Sequence, residues 1–345
     1  MTRTLSNSPL PWHREHWQQA LALFASGGAG HAYMLCGEAD TGKSCFAGML
    51  AEYLLCRTPD ATAACGRCPS CLLNAAGSNP DLMMISPEEG SKQIKVDQIR
   101  DLRHFLETRA HGHGRRVVIL DAAENLGIGS ANALLKGLEE PPQGVVFLLL
   151  SDRPKAVLAT ISSRTQVFRL PCPDRPAILA WLLSNAATRS ASDLELIVDL
   201  AQGRPFVARA ILDSGTAEQL QEIGNSLLAL AQGSEYPLAI ASRYSKSLCA
   251  EFLGVLMYWL SELTKYRMTA AKSALKGASL QAAARLLDRS PAGQDASHSA
   301  KTQQLIHLYN AAANAQAQLI GASNPNTQLM LEDLLLNLRR VFQAL

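Results

Sequence analysis

Short continuous runs of apolar residues alternate, through the first 171 residues, with segments in which apolar residues recur every three or four positions. Continuous runs of this length are typical of buried β-strands, and the spaced pattern is typical of helices. The pattern predicts strands at 31–36, 80–86, 115–121, 144–151 and 165–170. It predicts helices at 11–26, 43–55, 95–110 and 129–142. Strands that alternate with helices indicate a parallel, doubly wound α/β sheet.

The pattern changes after the proline-marked stretch "LPCPDRP" at 170–176. Beyond it only helical periods occur, and the last of them, "LMLEDLLLNLRRVF", places on one face Leu331, Leu334, Leu335, Leu338 and Phe342. Because such a face must pack against other helices, the remainder of the chain is predicted to be helical. A boundary near residue 171 follows.

A phosphate-binding loop is predicted between the first strand and the next helix. Gly37, Gly42, Lys43 and Ser44 match G-x-x-x-x-G-K-[ST] within "GEADTGKS", where Thr41 precedes the second glycine. Backbone N–H groups of such a loop bind phosphate oxygens, its lysine reaches the β- and γ-phosphates, and its hydroxyl binds Mg²⁺. A chance glycine–lysine turn is the alternative, but the flanking strand and helix favour the nucleotide site.

A second carboxylate site is predicted at the end of "RRVVILD", where Asp121 could hold Mg²⁺ through water. Hydrolysis usually needs an acid directly afterwards to polarise the attacking water, and Ala122 occupies that place. Glu124, three residues on, is expected to point elsewhere. The sequence therefore predicts nucleotide binding without efficient turnover, although Asp121 could simply be the polar end of a strand.

Four cysteines, Cys56, Cys65, Cys68 and Cys71, lie within sixteen residues directly after the helix that follows the loop. Their C-x8-C-x-x-C-x-x-C spacing is typical of a closed, structural Zn²⁺ site with four thiolates. An iron–sulfur cluster uses similar spacing. Unrelated cysteines are the remaining alternative, and the density of the four disfavours it.

Composition and charge narrow the possible partners. The 345 residues carry a formal net charge of +2, with 48% hydrophobic residues and no run of five basic ones. This balance argues against autonomous DNA binding and against a zinc-dependent nucleic-acid-binding module. The N-terminal stretch has no apolar core of signal-peptide length, and the longest apolar run, at 145–150, is too short to cross a bilayer. We therefore expect a soluble cytoplasmic protein.

Several motifs in one order resemble the AAA+ subunits of bacterial clamp loaders. They are the phosphate loop, the cysteine insert, "KVDQIRDLR", "NALLKGLEEPP" and "SSRTQ". The resemblance is strong over 11–171. It implies a RecA-like parallel-sheet core with a zinc-binding insert, a small helical lid domain and an all-helical C-terminal collar domain. The domains would span 1–171, with the zinc module at 56–71, then 172–213 and 214–345.

The resemblance also separates two kinds of ring subunit. Motor subunits of the tau/gamma type carry Asp-Glu where this chain has Asp121-Ala122, and an arginine in the lid motif where "GRPF" places Phe206. Both departures indicate a rigid, non-motor subunit in a pentameric hetero-oligomer, with the motor subunits and a delta subunit as partners. The sliding clamp and primer-template DNA would be engaged through the complex. An active ATP-hydrolysing motor subunit is the alternative.

Two further residues take roles from the resemblance. Arg164 matches the arginine of a Ser-Arg-Cys motif that reaches the ATP of the neighbouring subunit, although Thr165 replaces the cysteine. Ser151 stands where relatives place a polar phosphate-sensing residue. The implied subunit has weak or no ATPase alone, and ATP with Mg²⁺ is a possible ligand beside structural Zn²⁺.

Overall fold

The fold was obtained as a computed structural model. It describes residues 8–26, 30–88, 91, 93–112, 114–185, 191–201, 203–214, 217–269, 275, 278–288, 295–320 and 325–343. The chain forms two compact units. The first comprises Met1–Ala177 with Arg204–Phe206, and the second comprises Ile178–Gly203 with Val207–Leu345.

The first unit contains one parallel sheet. Its strands are β1 (Ala32–Cys36), β2 (Leu82–Ile85), β3 (Arg116–Leu120), β4 (Val145–Ser151) and β5 (Gln166–Arg169). They lie in the order β2-β3-β4-β1-β5, and every neighbouring pair is parallel. The predicted parallel sheet is confirmed. Because all strands run in one direction, their carboxyl ends meet at one edge, where α/β proteins bind ligands.

Helices cover both faces of this sheet. They are α1 (Arg14–Ala25), α2 (Lys43–Leu55), α3 (Pro69–Ala75), α4 (Val96–Glu107), α5 (Ile128–Glu139) and α6 (Ala159–Ser162). Alternate residues of β1 point to opposite faces, as strand geometry requires. Tyr33 and Leu35 pack with α1 and α2, whereas Met34 packs with α4 and α5. The doubly wound arrangement is therefore present. The short helix α3 lies inside the cysteine segment, where the apolar pattern did not predict a helix.

The second part of the chain is helical, as predicted. Its helices are α7 (Arg175–Asn185), α8 (Ala191–Leu200), α9 (Pro205–Asp213), α10 (Ala217–Gln232), α11 (Pro237–Tyr244), α12 (Cys249–Thr269), α13 (Ala278–Asp288), α14 (Asp295–Ile320) and α15 (Thr327–Gln343). The second unit has a small apolar cluster around Leu182 and Leu194 and a large one around Leu256 and Leu335. The division into a lid at 172–213 and a collar at 214–345 stays a prediction.

The lengths and apolar character of the helices bear on whether any of them could span a membrane. Among the described residues, none of the helices combines the length and the apolar character that crossing a bilayer requires.

Candidate functional site

The phosphate loop connects β1 to α2 at the carboxyl edge of the sheet. Asp40 and Gly42 both have left-handed backbone conformations, with φ of 57° and 98°. Left-handed residues occur in loops whose successive backbone N–H groups surround an anion. The Thr41 hydroxyl donates to the Glu38 carbonyl oxygen at 2.8 Å, and the Gly37 N–H donates to the Ser151 carbonyl oxygen at 3.3 Å. The loop is therefore fastened to the end of β4, and its binding of phosphate stays a prediction.

The lysine of the loop already has an anionic partner. Lys43 is 6% exposed, and its ammonium nitrogen lies 2.5 Å from Asp152 Oδ1. The same nitrogen donates to the Glu38 carbonyl oxygen at 2.5 Å. Because these contacts neutralise the charge and use two of the three N–H donors of the ammonium group, a phosphate group would have to compete with Asp152 for Lys43.

Leu10, in the segment 8–13 before α1, and Phe206 cover Gly42. A Cβ atom placed at Gly42 would lie 2.3 Å from Leu10 Cδ1 and 3.0 Å from Phe206 Cε2. The Trp12 indole N–H donates to the Thr41 carbonyl oxygen at 2.9 Å. The Phe206 N–H donates to the Asp40 carbonyl oxygen at 3.2 Å. Where the resemblance expected an arginine, the chain thus packs an aromatic ring against the loop.

Asp121 and Ser151 lie where the sequence analysis expected them, at the ends of β3 and β4. The Asp121 N–H donates to the Ile85 carbonyl oxygen at 2.8 Å, and Asp121 Oδ1 accepts the Ala122 N–H at 2.9 Å. Burial raises the pKa of the Asp121 carboxyl group, and the Ala122 hydrogen bond partly opposes this. Ser151 is 1% exposed, and its hydroxyl accepts the Arg153 N–H at 3.2 Å. Both side chains face the same edge as the loop.

Glu124 corrects one expectation. Its side chain does not point away from this edge, because Ala122 adopts a left-handed conformation with φ of 56° and a short 3-10 turn follows. The carboxylate is 4% exposed, and its Oε1 accepts the Asp152 N–H at 3.3 Å. Alanine gives no signal for a left-handed turn, so the sequence could not foresee this return.

Arg164 follows α6 and precedes β5. Its Nη2 lies 2.5 Å from Glu139 Oε1, with side-chain exposures of 36% and 48%. Its Nη1 donates to the Thr160 carbonyl oxygen at 2.9 Å and to the Ser163 hydroxyl at 3.3 Å. The contacts that fix this guanidinium therefore come from α5 and α6, and part of it faces solvent.

The four cysteines of the insert come together. Their sulfur atoms all lie within 4.8 Å of one another. Separations are 3.9 Å for Cys56–Cys68, 4.0 Å for Cys65–Cys71 and 3.5 Å for Cys68–Cys71. A tetrahedron of thiolates at about 2.3 Å from a Zn²⁺ ion would have sulfurs about 3.8 Å apart. The cluster therefore has the dimensions of a four-thiolate metal site.

Backbone hydrogen bonds favour the thiolate forms that a metal needs. The Cys65 N–H donates to Cys56 Sγ at 3.2 Å, and the Cys68 N–H donates to Cys65 Sγ at 3.4 Å. A hydrogen bond from the Thr58 hydroxyl, with others from the backbone, lowers the pKa of Cys65 to about 6. Burial raises the pKa of Cys56, against the hydrogen bond from Cys65, and also raises the pKa of Cys71. Only a cation among the four sulfurs would stabilise all of them as thiolates.

A chain of buried amides attaches this insert to the core, and nothing in the sequence pattern signalled it. Asn79 Nδ2 donates to Asn74 Oδ1 at 2.7 Å and to Ser70 Oγ at 3.1 Å, both on α3. Asn79 Oδ1 accepts the Asp81 N–H at 2.9 Å, directly before β2. The cysteine module is therefore fixed to the sheet by polar contacts and not only by its chain connections.

Two family models cover most of the chain. The model described as "DNA polymerase III, delta subunit" matches residues 12–174, and that described as "DNA polymerase III, delta subunit, C terminal" matches 215–340. The first covers the sheet, the loop and the cysteines, and the second covers most of the helical part.

Individual relatives agree with the models. The chain is 42% identical to DNA polymerase III subunit delta' of Pseudomonas aeruginosa over 227 residues, which is 65% of this chain and 69% of that protein. It is 32% identical to subunit delta' of Haemophilus influenzae over 260 residues, 75% of this chain and 78% of that protein. It is also 37% identical to subunit tau of Escherichia coli over 227 residues, 64% of this chain but 35% of that protein.

His13, buried beside the loop, should make the stability of the fold depend on pH. Burial, with smaller contributions from His16 and Lys43, lowers its pKa from 6.5 to about 4. The unfolded chain then binds a proton in this window that the folded chain does not, so stability falls as pH falls from 6.5 towards 4. Each pH unit there should remove up to about 1.4 kcal/mol from the free energy of unfolding.

Urea unfolding of the chain and of His13→Gln between pH 7.5 and 4.5 would measure this. The wild type should lose stability relative to the variant as the solution is acidified. Parallel pH profiles for the two proteins would contradict a neutral, buried His13.

Proposed function

Because the chain belongs to the family of DNA polymerase III subunit delta', we propose that it is a non-hydrolysing clamp-loader subunit. It would help to place the sliding clamp on primer-template DNA, in a pentameric ring with tau/gamma motor subunits and the delta subunit. A subunit with this function would act in the cytoplasm. Its contribution to ATP turnover would be made at a neighbour's site.

The observation that carries this proposal is the state of its own phosphate loop. Lys43 is buried and paired with Asp152, while Ala122 follows the carboxylate of Asp121. A hydrolytic site needs its lysine available to the phosphates and a residue, usually an acid in this kind of site, that positions the attacking water. The Glu124 carboxylate returns to the same edge, but it is engaged with the Asp152 N–H. These features support binding without efficient turnover.

Arg164 would supply the trans-acting group. Its guanidinium is 36% exposed and is held by contacts from outside its own phosphate loop. Such a group, placed beside the γ-phosphate of an adjoining subunit, neutralises the charge that develops in the transition state. We propose this role for Arg164, with the neighbouring motor subunit as the recipient.

An active tau/gamma-like motor subunit is the alternative. The likeness to subunit tau spans 35% of that protein, and Phe206 packs against the loop where the resemblance implies an arginine in motors. The alternative is not favoured.

Nucleotide would bind to this subunit only after a phosphate group replaced Asp152 as the partner of Lys43. We propose that Gly37, Thr41, Gly42 and Ser44 would surround the phosphate groups, with Asp121 and Ser151 placed for Mg²⁺ and the terminal phosphate. Binding would require Lys43 to leave Asp152. We propose that the loop retains a weak affinity for Mg²⁺–ATP.

The cysteine cluster would hold a structural Zn²⁺. Four thiolates at the observed separations leave no open coordination position for chemistry. The ion would hold together the insert between α2 and β2.

Changing Asp152 should raise the affinity for ATP. Asp152→Asn leaves the Lys43 ammonium without its anion, so a phosphate becomes its best partner, and the Kd for Mg²⁺–ATP should fall about tenfold. Titration of the isolated chain with a fluorescent ATP analogue measures this. Asp152→Glu, which keeps the charge, is the control. An unchanged Kd in Asp152→Asn would show that the ion pair does not limit binding.

Changing Arg164 should slow hydrolysis at one site of the assembled loader. Removal of an arginine finger costs about a thousandfold or more in the rate at its site. Pre-steady-state ATP hydrolysis by the loader, assembled from motor subunits, delta and this chain, would resolve the slow site in Arg164→Ala. Arg209→Ala, which also loses an exposed ion pair, is the matched control. An Arg164→Ala loader that assembles and hydrolyses ATP at the wild-type rate would exclude the trans-acting role.

Changing one cysteine should remove the metal and loosen the insert. Cys68→Ser is expected to bind less than one Zn²⁺ per chain and to lose about 2 kcal/mol or more of stability, because the metal-binding free energy contributes to folding. Metal analysis and thermal unfolding measure both quantities. Cys172→Ser, an exposed cysteine outside the cluster, should change neither. A metal-free wild type of equal stability would rule out structural zinc.

A further inference from the structure

Glu139 holds the guanidinium that the proposed function assigns to the neighbour's nucleotide. The two charged groups approach to 2.5 Å between Arg164 Nη2 and Glu139 Oε1. The other terminal nitrogen of Arg164 donates to the Thr160 carbonyl oxygen and to the Ser163 hydroxyl. Both terminal nitrogens are therefore occupied within the chain, and one of them by a full negative charge.

The position of Glu139 is unfavourable for its own helix. It is the last residue of α5, where the helix dipole favours cations and not carboxylates. Two prolines follow at 141 and 142, so the helix cannot continue. The Glu140 N–H still donates to the Lys136 carbonyl oxygen at 3.1 Å, which keeps the final turn closed. The carboxylate is thus presented from a fixed helix end, and Arg164 supplies the cation that this end favours.

The ion pair between Arg164 and Glu139 is weak enough to be broken when a stronger anion approaches. Glu139 is 48% exposed and Arg164 is 36% exposed. Ion pairs of this exposure contribute about 0.2–1 kcal/mol, far less than the charge-assisted, bidentate bonds that an arginine makes to a phosphate. A triphosphate can therefore take Arg164 from Glu139 at a small cost, whereas without a triphosphate the arginine stays with Glu139.

We infer that Glu139 is a positioning residue for Arg164, which it holds against the helix end until a nucleotide on the neighbouring subunit displaces it. This inference rests on the trans-acting role proposed above. Glu139 would act only through Arg164, with which it forms its ion pair. Its removal should lower the concentration of ATP needed to engage the arginine and leave the chemical step unchanged.

Glu139→Gln tests this, because the amide keeps the shape of the side chain and a hydrogen-bond acceptor but loses the charge. In the assembled loader, the ATP concentration giving half-maximal pre-steady-state hydrolysis at the Arg164-dependent site should fall about two- to fivefold, the equivalent of the exposed ion pair. The maximal rate should not change. Glu140→Gln is the matched control, since it removes a carboxylate from the adjoining residue and should have no effect.

The Arg164→Ala background separates the possible results. If Glu139 acts through Arg164, Glu139→Gln has no effect once Arg164 is alanine. An unchanged ATP requirement in the single variant, an equal effect of Glu140→Gln, or an effect that persists in the Arg164→Ala background would each overturn the inference and leave the trans-acting role intact. An Arg164→Ala loader with wild-type hydrolysis would instead overturn the proposed function itself.

Discussion

A buried ammonium group needs an anion beside it, and the phosphate loop of this chain meets that need from within. Lys43 is almost fully enclosed, and removing a charge of this kind from water without a partner would cost several kcal/mol. In a nucleotide-bound loop the phosphates are the anion. Here Asp152 takes their place, from the residue that follows β4. The ion pair therefore stabilises the loop from within the chain, and Leu10 and Phe206 pack over Gly42.

This arrangement depends on the parallel sheet. Because the strands run in one direction, the ends of β1, β3 and β4 meet, and each contributes one part of the site. The loop follows β1, Asp121 follows β3, and Asp152 follows β4. The same convergence that builds a nucleotide site in an α/β fold also brings a competing carboxylate within reach of Lys43. Asp152, the residue directly after β4, is thus sufficient to give Lys43 an anionic partner from within the chain.

The sequence was sufficient for those features that depend on local pattern. Alternation of apolar runs and helical periods predicted the parallel sheet, and spacing alone predicted that four cysteines would converge. The remaining features depend on contacts between distant segments or on backbone conformations that their residues seldom adopt. The left-handed turn at Ala122 returns Glu124 to the site, and no property of alanine announces it. The ion pair between Arg164 and Glu139 joins the motifs "SSRTQ" and "NALLKGLEEPP", and the sequence does not show that these two motifs are in contact.

The ion pairs made by Lys43 and by Arg164 differ in how far their side chains are exposed to solvent. Lys43 is buried, so breaking its ion pair without a replacement anion would cost several kcal/mol. Lys43 should therefore stay with Asp152 until a phosphate group replaces that carboxylate. The pair made by Arg164 is exposed on both sides, so it holds the side chain in one place and yields at little cost. Under the proposed function, burial, more than the identity of the charged groups, would decide which cation stays paired within the chain and which could contact a neighbour's nucleotide.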